Sequence, residues 1–193
     1  SARRLSALRQ FFRFLFAEGF REDDPCSAID SPRQGRPLPK CLSEEEVERL
    51  LAAARRRGGG KGKRLVALLE MLYATGLRVS ELVALPVSAM SRDGRMLIVS
   101  GKGGKERMIP LSEPAMEAVV VYQRMREHFM AAPRRTGENS PWLFPSRSRA
   151  GHLTRNRLGQ LLKGLAVDAG VDPARVSPHV LRHSFASHLL AHG

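Results

Sequence analysis

A mainly helical fold carrying one small antiparallel β-hairpin, an α+β architecture, is what this 193-residue sequence predicts. Three observations lead there. Apolar residues recur at helical spacing through most of the chain. That rhythm breaks once, where RMLIVS and RMIPLS, two short runs with β-branched residues, flank the glycines of GKGGKE. Finally, 42% hydrophobic residues are enough to build a real core at this length.

The elements follow in order. Between residues 2 and 18, Leu5, Leu8, Phe11, Phe12, Leu15 and Phe16 form one apolar stripe, and Gly19 sits where a C-terminal cap belongs. Such a helix cannot hide its apolar face alone, so partners before Ser1 or on another molecule are expected. Residues 22–41 hold Pro25, Pro32, Pro37 and Pro39 without periodicity and read as an extended linker, which places a domain boundary there. The second unit, from residue 42 on, opens with a capping box between Ser43 and Glu46 and a stripe of Val47, Leu50 and Leu51.

RRRGGGKGKR then reads as a mobile basic turn, and the nearly all-apolar LVALLEMLYA, from Leu65 to Ala74, as a helix at the centre of the domain. Gly76 closes it and RVSELVAL starts another. The hairpin comes next, with lysines at its tip. Helical periodicity returns in EPAMEAVVVYQRMREHFM, breaks at AAPRRTGENSP, and resumes in TRNRLGQLLKGLAVDAG with Thr154 as N-cap. The last helix follows Ser177 and Pro178.

Lys plus Arg outnumber Asp plus Glu by 32 to 19, a formal charge of +13. That excess favours a polyanionic partner, and charge alone leaves nucleic acid and an anionic membrane surface both open. No apolar run approaches the roughly 20 residues needed to span a bilayer, and the start lacks the order of a signal peptide. Cys26 and Cys41 are isolated, without metal-knuckle or disulfide-framework spacing. A cytoplasmic protein with free thiols is expected.

Four features combine basic side chains with a constrained backbone. In ATGLRVSEL, Arg78 falls at a helix junction beside Gly76, with Glu81 one turn on. Its guanidinium either offers a fork of donors to a phosphate or carboxylate, steadied by Glu81, or forms an ordinary surface pair at i, i+3. Lys102 and Lys105 at the hairpin tip suit a phosphate contact or proton donation to a leaving oxygen, and equally plain solvation. The glycines there do not make a nucleotide P-loop.

SPHVLRHSFASHLLAHG carries four of the six histidines. His179 and His183, like His188 and His192, have the i, i+4 spacing of zinc ligands. However, no HExxH accompanies them and Arg182 would lie close to any metal, so no metal is expected. In the competing reading, His179 and Arg182 present an imidazole and a guanidinium from one face, fit to bind and protonate a phosphate oxygen. The fourth feature is the basic decoration RRRGGGKGKR, RMREH, PRRTG and SRSRAGHLTRNR, suited to nucleic-acid backbone contacts or a solvated surface.

Taken together, ATGLRVSEL, GKGGKERMIPL and SPHVLRHSFASHLL resemble, in order and spacing, the signature of the tyrosine site-specific recombinases, the phage integrase family. The likeness is greatest to the bacterial Xer recombinases, and FREDDPCSAIDSPRQGRPLPKCLSEEEVERLL is similar to the linker of their D-type members. The resemblance implies the recombinase catalytic-domain fold over 42–193, a linker over 22–41, and in 1–21 the last helix of an N-terminal core-binding domain.

It also implies roles. Arg78 and Arg182 would be the two catalytic arginines that clamp the scissile phosphate, Lys102 the general acid for the departing 5′ oxygen, and His179 the histidine of H-x-x-R. Glu81 would orient Arg78, while Lys105, Arg107, Arg155 and Arg157 would contact DNA. The reaction implied is metal-free, ATP-independent transesterification through a 3′-phosphotyrosyl link, with no cofactor. The implied partners are a double-stranded recombination site, a homo- or hetero-tetramer with a second Xer-type subunit, and a cell-division DNA translocase, in the service of chromosome-dimer resolution. A phage or integron integrase carries the same motifs.

The family's L-G-H motif and nucleophilic tyrosine do not appear. The only tyrosines are Tyr73, in an apolar helix, and Tyr122, in an amphipathic one. The expectation is a chain truncated at both ends that binds DNA weakly and cleaves nothing; a non-catalytic DNA-binding relic is the alternative.

Overall fold

In the computed structural model, which describes residues 2–29, 41–101, 104, 106–130 and 140–192, the chain forms two units, Ser1–Pro39 and Lys40–Gly193. The first contains helix α1 (Ala2–Ala17). Gly19 ends it at φ +71, and the Phe20 amide reaches back to the Leu15 carbonyl at 2.9 Å, a Schellman closure that a left-handed glycine permits. Leu8, Phe11, Phe14, Phe16 and Phe20 are all exposed. A turn follows in which Asp24 caps the amide of the buried Cys26 at 2.9 Å.

The second unit contains α2 (Glu44–Arg56), α3 (Gly59–Thr75), α4 (Val79–Val83), β1 (Met96–Ser100), β2 (Glu106–Pro110), α5 (Glu113–Gln123), α6 (Arg155–Asp168) and α7 (Pro178–His192). The capping box at the start of α2 is present in both halves: Glu46 N–H donates to Ser43 Oγ at 3.2 Å and Ser43 N–H to Glu46 Oε2 at 2.9 Å. Thr154 caps α6 by accepting the Arg157 amide at 3.1 Å.

Two helices differ from the sequence reading. Of the basic tract expected to be a turn, residues 55–64, only Arg57 and Gly58 lie between helices, since Arg55 and Arg56 end α2 and α3 already begins at Gly59. The reason is close packing, because a Cβ on Gly62 would stand 2.8 Å from the Ala54 carbonyl, so this glycine lets the end of α2 lie directly on α3. The helix expected across 113–130 stops at Gln123, and Arg126–Phe129 forms a separate 3₁₀ turn.

Helix α3 is the hub. Leu65, Ala67, Leu68, Leu69, Met71 and Leu72 are all buried, and α2, α5 and α7 pack around them. The small sheet lies to one side as a two-stranded antiparallel pair with Leu97 opposite Ile109 and Val99 opposite Arg107. Directly opposed residues share a sheet face. Leu97 and Val99 are buried, so Arg107 leaves its strand on the inner side, while Met108 is 65% exposed on the other.

One charged group inside this core carries a stability cost. Glu70 is buried on α3 with only Arg55, itself half exposed, at 3.4 Å. Burial raises its pKa, and the Arg55 charge opposes that only in part. A carboxyl with a raised folded pKa favours the fold below its unfolded pKa, and that contribution is lost as pH rises through the folded value. Glu70→Gln is therefore expected to raise Tm by a few degrees at pH 7, about 2–4 °C per kcal/mol at this size, and to give no gain near pH 4. Thermal melts at the two pH values test this; an equal gain at both would refute it.

Candidate active site

The junction of α3 and α4 builds the first half of the site. Thr75 Oγ1 donates to the Met71 carbonyl at 2.5 Å and accepts the Leu77 amide at 3.3 Å. Between them Gly76 turns the chain at φ +56, ψ 27 in the left-handed region and returns its amide to the Leu72 carbonyl at 3.1 Å. Arg78 then stands extended at the N-cap of α4. Glu81, in the third position of α4, takes the Arg78 amide on Oε2 at 2.8 Å and Nη1 of the same arginine on Oε1 at 3.0 Å. The Arg78 side chain stays 61% exposed, whereas that of Glu81 is only 11% exposed. A third donor, Arg107 Nη2 from β2, reaches Glu81 Oε2 at 2.8 Å. Burial works against the Glu81 charge, but Arg107 and the amide and guanidinium of Arg78 outweigh it and hold the carboxyl below its ordinary range.

Helix α7 builds the second half. Ser177 caps it by accepting the Val180 amide at 3.2 Å, and Pro178 occupies its first position. His179 and Arg182 follow within the first turns. Nε2 of His179 lies 3.1 Å from Nε2 of His183, with the rings nearly perpendicular at 85°. A hydrogen bond between two ring nitrogens needs one to donate and the other to accept, so the two exposed imidazoles are coupled in orientation. Arg182 is half-buried, and its Nη1 is buried without a hydrogen-bond partner among the described residues. An unused guanidinium donor in a low-dielectric setting calls for an acceptor.

The two halves are locked together. A Cβ on Gly76 would stand 2.8 Å from the Phe185 ring of α7, so the residue that turns the chain toward Arg78 is also the one on which α7 rests. Ser184, fully buried one residue before Phe185, donates to the Val180 carbonyl at 3.0 Å and accepts the Leu42 amide at 2.8 Å. Tyr73 Oη meets His188 Nδ1 at 2.8 Å, and its ring packs edge-on against Phe185.

Neither tyrosine offers a free hydroxyl to a substrate. Tyr73 is engaged with His188, and burial raises its pKa. Tyr122 is fully buried and stacks on Phe144, and burial pushes its phenol up to about 12.

The structure thus joins Arg78, Glu81 and Arg107 directly, and ties them through Gly76 and Phe185 to the helix of His179 and Arg182. Lys102 and Lys105 lie outside the described residues. Arg155 and Arg157 are exposed at the start of α6, where Arg157 Nη1 donates to Gln160 at 3.1 Å. Sequence reasoning missed two contacts. The link from Arg107 to Glu81 was available from strand alternation once the register was fixed. The His179–His183 pair was visible as i, i+4 spacing, but the spacing was weighed only as a metal motif. Among the described residues, no three His, Cys, Asp or Glu side chains cluster as a metal site, and no helix is long and apolar enough to cross a membrane.

A helical domain that presents two arginines and a histidine from a junction and a neighbouring helix, beside a two-stranded hairpin, has the donors that suit holding a phosphate group. The phage integrase family signature matches residues 40–193, and the chain belongs to that family, the tyrosine recombinases. Tyrosine recombinase XerD of Caulobacter vibrioides is 53% identical over 193 residues, an alignment spanning 100% of this chain and 62% of the relative's length. The crystal structure of XerA recombinase superposes on 97% of this chain and 61% of its own, at a TM-score of 0.66 and 29% identity. XerH site-specific recombinase bound to its difH substrate matches 94% of this chain and 51% of its own, at a TM-score of 0.67 and 21% identity, which speaks for the fold.

Proposed function

We propose that the protein to which these 193 residues belong cuts and rejoins duplex DNA at a specific site through a 3′-phosphotyrosyl intermediate. The observation that carries this reading is the close packing of Gly76 on Phe185, which sets the turn before Arg78 against the helix of His179 and Arg182. In the proposed step a tyrosine oxygen attacks the scissile phosphorus, and the bond to the 5′ oxygen breaks. Negative charge grows on the non-bridging oxygens, where the forks of Arg78 and Arg182 stabilise it. The orphaned Nη1 of Arg182 is the donor such an oxygen would satisfy. His179, in contact with His183, shares proton transfer or binds a phosphate oxygen. Lys102 delivers the proton to the leaving 5′ oxygen. A 5′ hydroxyl from a partner duplex then reverses the reaction and frees the tyrosine.

Tyr73 is engaged with His188 and Tyr122 is fully buried, so in this reading the nucleophile comes from elsewhere in the full-length protein. These 193 residues alone bind duplex DNA and do not cleave it. The net charge of +13 supports backbone contact, to which Lys105, Arg155 and Arg157 contribute. The cellular role in this reading is Xer-type resolution of chromosome dimers in the cytoplasm, within a tetramer containing a second Xer-type subunit and in concert with a cell-division DNA translocase.

The test is covalent capture of a nicked duplex by the full-length protein. Lys102→Ala is expected to lose capture on ordinary DNA and to regain it on a substrate with a 5′-thio leaving group, because a thiolate departs with little protonation. Absence of recovery, with wild-type protein active on the same substrate, would remove Lys102 from the acid role. Absence of any covalent complex with the full-length wild-type protein would favour a non-catalytic DNA-binding protein instead.

A further inference from the structure

We infer that Arg107 is a positioning residue for Arg78 rather than a DNA-backbone contact, an inference that rests on the strand-transfer reading above. The sheet register places Arg107 opposite the buried Val99, so its side chain leaves β2 toward the protein and not toward the exposed face that carries Met108. Its guanidinium ends 2.8 Å from Glu81 Oε2. One nearly buried carboxylate therefore serves three donors from two elements: the Arg78 amide and Arg107 Nη2 on one oxygen, and Arg78 Nη1 on the other.

The distribution of those donors has a chemical consequence. A carboxylate facing a single arginine prefers the two-pronged fork, which would take two of the guanidinium's five N–H groups. With Arg107 and the Arg78 amide on Oε2, Glu81 meets the Arg78 guanidinium through Nη1 alone, and the rest of that fork stays available at 61% side-chain exposure. Arg107 also fastens β2 to the junction that carries Arg78. Arg107 touches neither DNA nor the reacting atoms in this role and acts through Glu81.

The test uses the full-length protein with Arg107→Met, Arg107→Gln and Arg107→Lys, alone and combined with Glu81→Gln, and with Arg78→Ala as the control on the reading itself. At saturating duplex, Arg107→Met and Arg107→Gln are each expected to slow covalent capture by roughly tenfold to a hundredfold, the scale of a misplaced reacting group. Duplex affinity is expected to stay within about twofold, and the slope of log affinity against log salt to be unchanged. Arg107→Lys, which keeps a charge for Oε2, is expected to recover most of the rate, and Glu81→Gln is expected to add little to the loss in Arg107→Met. A salt slope shallower by about 0.9 with weakened binding would make Arg107 a phosphate contact and overturn the inference. Wild-type rates in both neutral variants, or fully additive losses with Glu81→Gln, would overturn it as well. If Arg78→Ala captures DNA at the wild-type rate, the strand-transfer reading fails instead, whatever Arg107 does.

Discussion

Arg182→Ala in the full-length protein is expected to lower covalent capture of a nicked duplex by about a thousandfold or more, while duplex affinity stays within a few-fold. Losing one preorganised donor to a developing oxyanion costs on the order of a hundredfold to a thousandfold, and an arginine serving a transferring phosphoryl group is worth roughly 10³–10⁵. Arg182 belongs at the upper end, because its buried Nη1 has no partner among the described residues and it sits about one and a half turns from the capped start of a well-anchored helix. Ground-state binding depends on many phosphate contacts spread over a surface with a net charge of +13, so the loss of one is minor. Lysine at 182 is not expected to restore the rate, since a single ammonium cannot reproduce a planar fork. Gel-based capture measures the rate and a salt titration the binding. Undiminished covalent complex in Arg182→Ala would refute the role.

Gly76→Ala carries the largest expected effect on stability. At φ +56 any side chain meets the left-handed penalty of roughly 1–2 kcal/mol. The new methyl would also stand 2.8 Å from Phe185, and overpacking of that kind adds about 1–3 kcal/mol. Together these amount to a fall in Tm of roughly 5–15 °C at this size. The two terms separate in a second background, because in Phe185→Ala the clash is absent and Gly76→Ala is expected to cost only the backbone term. Equal costs in both backgrounds would show that Phe185 does not rest on Gly76. The substitution also bears on chemistry, since a ring forced off Gly76 moves the helix of His179 and Arg182 relative to Arg78.

What could be read from the sequence followed the physics of short range. Capping at Ser43 and Thr154, the closure of α3 at Gly76 and the hairpin are decided by neighbouring residues, and each appears where local spacing placed it. The start of α3 was not legible, because glycines such as Gly58 to Gly62 signal a turn when seen alone. Only the approach of Ala54 explains why Gly62 is helical. The same limit applies to the site. Arg78 and Glu81 are three residues apart and were paired from spacing. Arg107 lies 26 residues beyond Glu81, and a basic residue beside a hairpin tip looks like a solvated or DNA-facing group until its strand is paired with Val99. Phe185 gave no functional signal, since an aromatic residue at helical spacing is indistinguishable from ordinary core.

The bond from the Leu42 amide to Ser184 has a mechanical meaning. It is supported by Arg175, which donates to the Cys41 carbonyl at 3.2 Å and pairs with Glu46 at the start of α2. Residues 41 and 42 are where the chain enters this unit, and Ser184 stands on the helix that presents His179 and Arg182, so tension applied at the entry is delivered to that helix without an intervening loop. A load or reorientation at the entry therefore reaches the helix of His179 and Arg182 through one hydrogen bond, as well as the core in which Leu42 is buried.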